Sequence, residues 1–168
     1  VLQRTDRFEA FPEGDHGRLS AQIAALKAAA DLVVYAAPHL MAEEEGLVAR
    51  QLLVTHGVEL DAFARAGRNP SSGEPADVAA LPRPRIGFIG GIDAHTFDPP
   101  LFLRLARRMP DATFVLVGGT SLPDGWCTLP NVTALGRKPY EEVAGYMAGM
   151  DCLIMPWNDS PWIRACNP

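Results

Sequence analysis

Short apolar, β-branched runs alternate with segments of helical period along the chain. That alternation predicts an α/β fold, with parallel strands covered by helices. Leu19, Ile23, Leu26 and Ala30 recur at helical spacing, with Gln22 and Lys27 on other faces. A strand is expected over residues 32–35, a helix over 38–49 and a second strand over 51–54. His56-Gly57 closes that strand with a turn, since glycine tolerates the backbone angles that turns require.

A second alternating series begins at residue 85. Residues 85–89 read as a strand ending in Gly90-Gly91. Asp98 followed by Pro99 marks a helix start, because the carboxylate accepts free backbone N–H groups and proline suits the first helical turn. Leu101, Leu105 and Met109 are expected on the inner face of that helix, and Arg104, Arg107 and Arg108 on its solvated face. Strands follow over 113–117, 131–135 and 152–155. A helix over 140–150 precedes the last of them, with Val143, Met147 and Met150 inward. Cys152 sits in an apolar run and is expected in the core. A sheet that stops there, with no covering helix, reads as incomplete.

Between residues 66 and 84 the composition shifts to Gly, Pro, Ser and Asn, with prolines at 70, 75, 82 and 84. A linker is the economical reading, giving units over 1–65 and 85–168. No repeat recurs at a fixed period.

Bulk properties narrow the function. The 168 residues are 48% hydrophobic and 21% charged, which is ordinary for a globular protein with one good core or parts of two. A net charge of −5 argues against a nucleic-acid partner, whose binders normally present a basic surface. The three cysteines form no CxxC pair, which favours a reducing compartment over a disulfide framework or zinc site. No apolar stretch approaches the ~20 residues needed to span a bilayer.

In open α/β sheets, ligands bind beyond the carboxyl ends of the strands. Here those ends carry Gly90-Gly91, Gly118-Gly119, Gly136-Arg137-Lys138 and Pro156-Trp157-Asn158. Glycine lets a ligand approach the backbone, and exposed N–H groups can hold phosphate. Gly87-x-x-Gly90-Gly91 is not the dinucleotide fingerprint, and neither a Walker A nor an HExxH or GxSxG motif is present. No Asp-x-Asp motif appears, so no metal ion is expected.

The segments IGFIGGIDAHTFDPPLFLRLARRMPDATFVLVGG, LPNVTALGRKPYEEVAGYMAGMDCLIMPW and ACNP resemble the donor-binding domain of GT-B glycosyltransferases of bacterial polysaccharide biosynthesis. RTDRFEAF, AADLVVYAAPHLMAEE and LLVTHGVELDAF are similar to the end of the acceptor domain. The resemblance implies two Rossmann-like domains, both incomplete in this chain. It also implies transfer of a sugar, of the hexosyl type, from a nucleotide-diphosphate donor, UDP-linked, to a glycan or lipid-linked acceptor. The donor is then a substrate, and no cofactor is expected. The implied setting is cytoplasmic, with room for peripheral contact with the inner membrane face.

By the same resemblance, Gly90 and Gly91 approach the donor diphosphate, and Gly118 ends the neighbouring strand on the same edge. Gly136, Arg137 and Lys138 line the nucleobase pocket with Tyr140 nearby, while Trp157 and Asn158 border the sugar. Relatives carry a cation in the loop after the first donor-domain strand, where this chain has Asp93 and His95. Lys138, or a lysine beyond Pro168, could supply the missing charge, and the chain alone is expected to be inactive. An acceptor hydroxyl needs a base, for which Asp6 and Glu9 are the candidates. Trp157 and Trp162 could stack on a sugar face. The rivals are a UDP-sugar 2-epimerase on the same architecture and a catalytically silent nucleotide-binding domain.

Overall fold

A computed structural model describes residues 1–69, 73–164 and Cys166. Pro70 of the expected linker, and Ala165, Asn167 and Pro168 of the terminal ACNP, lie outside the described residues. The chain forms two compact units, Val1–Val58 joined by the residues from Asp159 on, and Glu59–Asn158.

The first unit has a three-stranded parallel sheet of β1 (Leu2–Arg4), β2 (Val33–Tyr35) and β3 (Gln51–Leu53), in that order. Helix α1 (His16–Ala29) follows a 3-10 turn at Phe8–Ala10, and α2 (Pro38–Glu43) links β2 to β3. Leu2 pairs with Val33 and Arg4 with Tyr35, so one sheet face is apolar at its start and charged at its end. The core is small: Val33, Tyr35, Ala37 and Leu40, flanked by Leu2, Ala30, Met41 and Val48. Beside it lies a network of buried charge. Arg4 donates to Glu44 at 2.7 Å and to Glu9 at 2.9 Å. Tyr35 donates to Glu44 at 2.7 Å, and Lys27 lies 3.1 Å from the same carboxylate.

That network corrects two sequence expectations. Leu26, expected inward, is exposed, and Lys27, expected outward, is turned in to Glu44. The expected helix over 38–49 stops at Glu43, because Glu44 turns inward and Gly46 takes a left-handed φ of 75° that ends the run.

The second unit opens with α3 (Leu60–Arg68) and α4 (Ala76–Ala79). Its parallel sheet has the order β6-β5-β4-β7, made of Val132–Gly136, Thr113–Val117, Arg85–Ile89 and Cys152–Leu153. Helices α5 (Pro99–Arg108) and α6 (Tyr140–Ala148) cover it, and α7 (Pro161–Arg164) belongs to the first unit. All five residues of β5 are buried, as a central parallel strand demands. Its side chains alternate between two cores. Phe114 and Leu116 join Phe88, Phe97 and Phe102 on one face, while Val115 and Val117 join Val78 and Tyr146 on the other.

Several expectations shift here too. Asp98 does cap α5, accepting from the Leu101 N–H at 2.8 Å. The buried face of α5 is Phe102 and Ala106, however, with Leu105 partly buried and Leu101 and Met109 exposed. Phe102 wins because its ring meets Phe114 edge-on at 5.6 Å. In α6 the fully buried side chain is Tyr146, and Cys152 lies exposed on the short edge strand β7. The second unit takes in the described residues of the expected linker, and those from Glu59 to Arg65 expected in the first unit: Val78 is wholly buried, and Glu74 accepts from Arg85 at the start of β4.

Candidate functional site

The parallel order of β4, β5 and β6 brings their carboxyl ends to one edge of the sheet. A cavity of about 230 Å³ opens there. Gly90, Gly91, Gly118 and Gly119 form its backbone wall, Arg137 and Lys138 its cationic side, and Ile89, Val117 and Val143 its apolar remainder. Gly90, Gly91, Gly118, Arg137 and Lys138 of the expected donor site are therefore brought together.

Two local features build this edge. Gly118 has φ 151°, and a Cβ on it would overlap the carbonyl oxygen of Gly90. Only glycine lets the ends of β4 and β5 touch in this way. A β-bulge then adds Leu135 to β6, since Ala134 pairs with Leu116 but Gly136 with Val117. Gly136 takes a left-handed φ of 71° and its carbonyl accepts from the Gly118 N–H at 2.9 Å. The bulge and the glycine together turn the chain so that Arg137 and Lys138 face the cavity.

The two cations differ in their surroundings. Lys138 Nζ lies 2.7 Å from Asp77 Oδ2 and sits over the Tyr146 ring at 5.2 Å. Tyr146 donates its hydroxyl to the same carboxylate at 3.0 Å. The hydrogen bond from Lys138 holds the Asp77 carboxyl below its usual range, and the Asp77 bond holds the Lys138 ammonium charged. Arg137 is exposed and lies against Gly119, where a Cβ would come within 3.4 Å of its Nη2. Asp77 and Tyr146 were absent from the sequence candidates. An acid inside a Pro/Gly/Ser stretch carries no periodic signal, so only the fold reveals its partner.

Other candidates fall elsewhere in the fold. Tyr140 begins α6 and is 54% exposed, outside the cavity wall. Trp157 bridges to Phe97 and packs on the aromatic core. Asn158 donates to the carbonyl of His95 at 2.9 Å and from its backbone to that of Thr96 at 2.8 Å. Both tie the end of β7 to the loop after β4. Within that loop Asp93 accepts from the His95 and Thr96 N–H groups at 2.9 and 3.0 Å. This explains an acid at that position: it shapes the loop from within.

In the first unit, Glu9 is ion-paired with Arg4. Burial pushes its carboxyl up, but the Arg4 bond and its own backbone outweigh this and hold it below the ordinary range. A carboxylate so stabilised is a weak base. Asp6 is half-buried beside Cys166, whose thiol is pushed up to about 11 by burial and by the Asp6 charge. Trp162 packs edge-on against Phe11 at 5.2 Å, which occupies a ring considered for sugar stacking. Among the described residues no three His, Cys, Asp or Glu side chains gather to hold a metal ion. Nor is any helix there long and apolar enough to cross a membrane.

No protein-family model matches the chain. Over 88 residues, 49% of the chain, it is 36% identical to TuaH of Bacillus subtilis (strain 168), a protein provisionally named as a teichuronic acid biosynthesis glycosyltransferase. In fold, 91% of the chain superposes on Anabaena Alr3699/HepE, solved in complex with UDP and glucose, with a TM-score of 0.62 and 15% identity. The chain spans 22% of the length of TuaH and 45% of that of HepE. The likeness in fold and the two parallel sheets agree on an α/β, Rossmann-like architecture, and about half of the chain is similar in sequence to a provisionally named glycosyltransferase.

Proposed function

We propose that the second unit holds the nucleotide-diphosphate part of a sugar donor, within a glycosyltransferase that passes the sugar to a glycan or lipid-linked acceptor. The observation that carries this reading is the cavity at the carboxyl ends of β4, β5 and β6, with four glycines on one side and two cations on the other. Backbone N–H groups of Gly90-Gly91 and Gly118-Gly119 suit phosphate oxygens, and positive charge suits a departing diphosphate. UDP is the favoured nucleotide, because the HepE fold neighbour was solved with UDP and glucose. The name of TuaH supports a place in polysaccharide biosynthesis, and hexosyl transfer and a cytoplasmic setting with peripheral membrane contact are part of the same proposal.

The chemistry is displacement at the anomeric carbon, with the nucleoside diphosphate leaving. The donor is a substrate, and the reading invokes no separate cofactor. Of the two carboxylates proposed as base for the acceptor hydroxyl, Asp6 is the better, because the Arg4 ion pair occupies Glu9 and lowers its affinity for a proton. Calorimetric titration with UDP, GDP, ADP and NAD tests the reading. Selective UDP binding is expected. Binding of NAD alone, or of no nucleotide, would overturn it.

A further inference from the structure

The cavity's two cations are not equivalent, and the difference assigns them different work. Lys138 already has its charge matched by Asp77 at 2.7 Å, and Tyr146 bonds to the same carboxylate. A ligand phosphate would have to compete with that pair. Among the described residues no acid pairs with Arg137, which is exposed at the cavity wall. Its guanidinium lies along Gly119, with Nη2 at 3.4 Å and Nε at 3.6 Å from where a Cβ would stand. Any side chain at 119 would crowd it. The planar fork of a guanidinium matches phosphate oxygens two at a time, which an ammonium cannot do. The loop after β4 carries no lysine or arginine, and its Asp93 is an anion whose carboxylate accepts from the loop's own backbone.

We infer that Arg137 is the cation that receives the donor diphosphate, and that Asp77 is a positioning residue that holds Lys138 out of that role. This rests on the sugar-nucleotide reading of the same cavity. A diphosphate here needs an uncompensated positive charge, because desolvating an anion is costly unless it is paired. The Asp77–Lys138 pair is neutral as a unit, so Arg137 is left to supply it. The alternative task for a flat guanidinium is stacking on the nucleobase, and uridine, which lacks phosphate, separates the two.

The test is an NMR titration of UDP and of uridine into the wild-type protein and into Arg137→Ala, Arg137→Lys and Asp77→Asn. Arg137→Ala should weaken UDP about ten- to a hundred-fold, the range for a lost hydrogen bond to a charged group, and leave uridine within about threefold. Arg137→Lys should recover part of the UDP loss, because charge returns without the fork. Asp77→Asn keeps an acceptor for Tyr146 but frees Lys138, so UDP should tighten a few-fold, by roughly what one unit charge about 4 Å away adds in water, with uridine unchanged. Equal losses of UDP and uridine in Arg137→Ala would move Arg137 to the base and overturn the assignment while sparing the reading. An unchanged UDP affinity in that variant would overturn it too. Weaker binding of both ligands in Asp77→Asn would reduce Asp77 to a structural role. A wild-type protein that binds neither ligand would sink the sugar-nucleotide reading itself.

Discussion

The two units share parallel strands and covering helices, and each buries one arginine beside carboxylates, Arg4 in the first and Arg85 in the second, but they differ in how much apolar core surrounds that charge. In the second, strands of five residues carry an aromatic chain in which Phe97 meets Phe102 at 5.3 Å and Phe102 meets Phe114 at 5.6 Å. In the first, strands of three residues cover only Val33, Tyr35, Ala37 and Leu40, and Arg4 is 1% exposed among carboxylates. Apolar burial is indifferent to pH, whereas a buried ion network depends on every member keeping its charge. The comparison teaches where a binding edge can be built. The second unit is stabilised at its centre, so its strand ends are free to carry glycines and a bulge that contribute little to stability.

The largest effect should come from the second unit's centre. Phe114→Ala empties a site with no exposure and should cost about 3–5 kcal/mol, read by denaturant unfolding. A cost below 1 kcal/mol would mean the aromatic chain does not carry that unit.

Next, Glu44→Gln should cost the first unit about 2–3 kcal/mol, because Arg4 then keeps only Glu9 as a charged partner. The same network sets a pH window. In the folded unit, burial raises Glu44, but bonds from Tyr35, Arg4 and Lys27 prevail and hold it below its ordinary 4.5. Its contribution is therefore full above that value and is lost as pH falls through the lowered folded value. Tyr35 has the opposite sign: burial and then Glu44 push it from 10.0 to about 12, so its contribution is full below pH 10 and lost as pH rises through 12. Asp77 and Asp151 are also lowered, but their side chains are 37% and 38% exposed and solvent screens them. Hydrogen exchange should show the strands of the first unit opening before those of the second on acidification. The reverse order would contradict the contrast.

Gly118→Ala should cost about 1–3 kcal/mol from backbone strain alone, and the overlap with Gly90 should abolish nucleotide binding. Retained UDP affinity would show that the touching strand ends are not part of the site. The smallest effect belongs to Arg104→Ala on the solvated face of α5, within about 0.5 kcal/mol by thermal unfolding.

Much of this was legible in the sequence, for reasons that vary by element. Residues 113–117 announce a strand because four apolar residues run unbroken from Phe114 to Val117 before Gly118, whereas its central place, with both faces buried, comes from the fold. The glycines at the strand ends are legible because they follow apolar runs on a predicted parallel sheet. The exchange of Leu26 for Lys27 was not, since it depends on Glu44, which reaches α1 only through the fold. Helix α5 offered two leucine-rich faces, and only the Phe102–Phe114 contact decides between them. Asp77 was hidden for a similar reason, its meaning residing in Lys138 and Tyr146 far along the chain.

The most direct test of the account is where a nucleotide protects the backbone. With saturating UDP, hydrogen exchange should slow at residues 89–91, 117–119 and 136–138 of the second unit and stay unchanged in β1, β2 and β3. Protection confined to the first unit, or none at UDP concentrations that saturate binding, would contradict the placement of the donor site on the glycine edge.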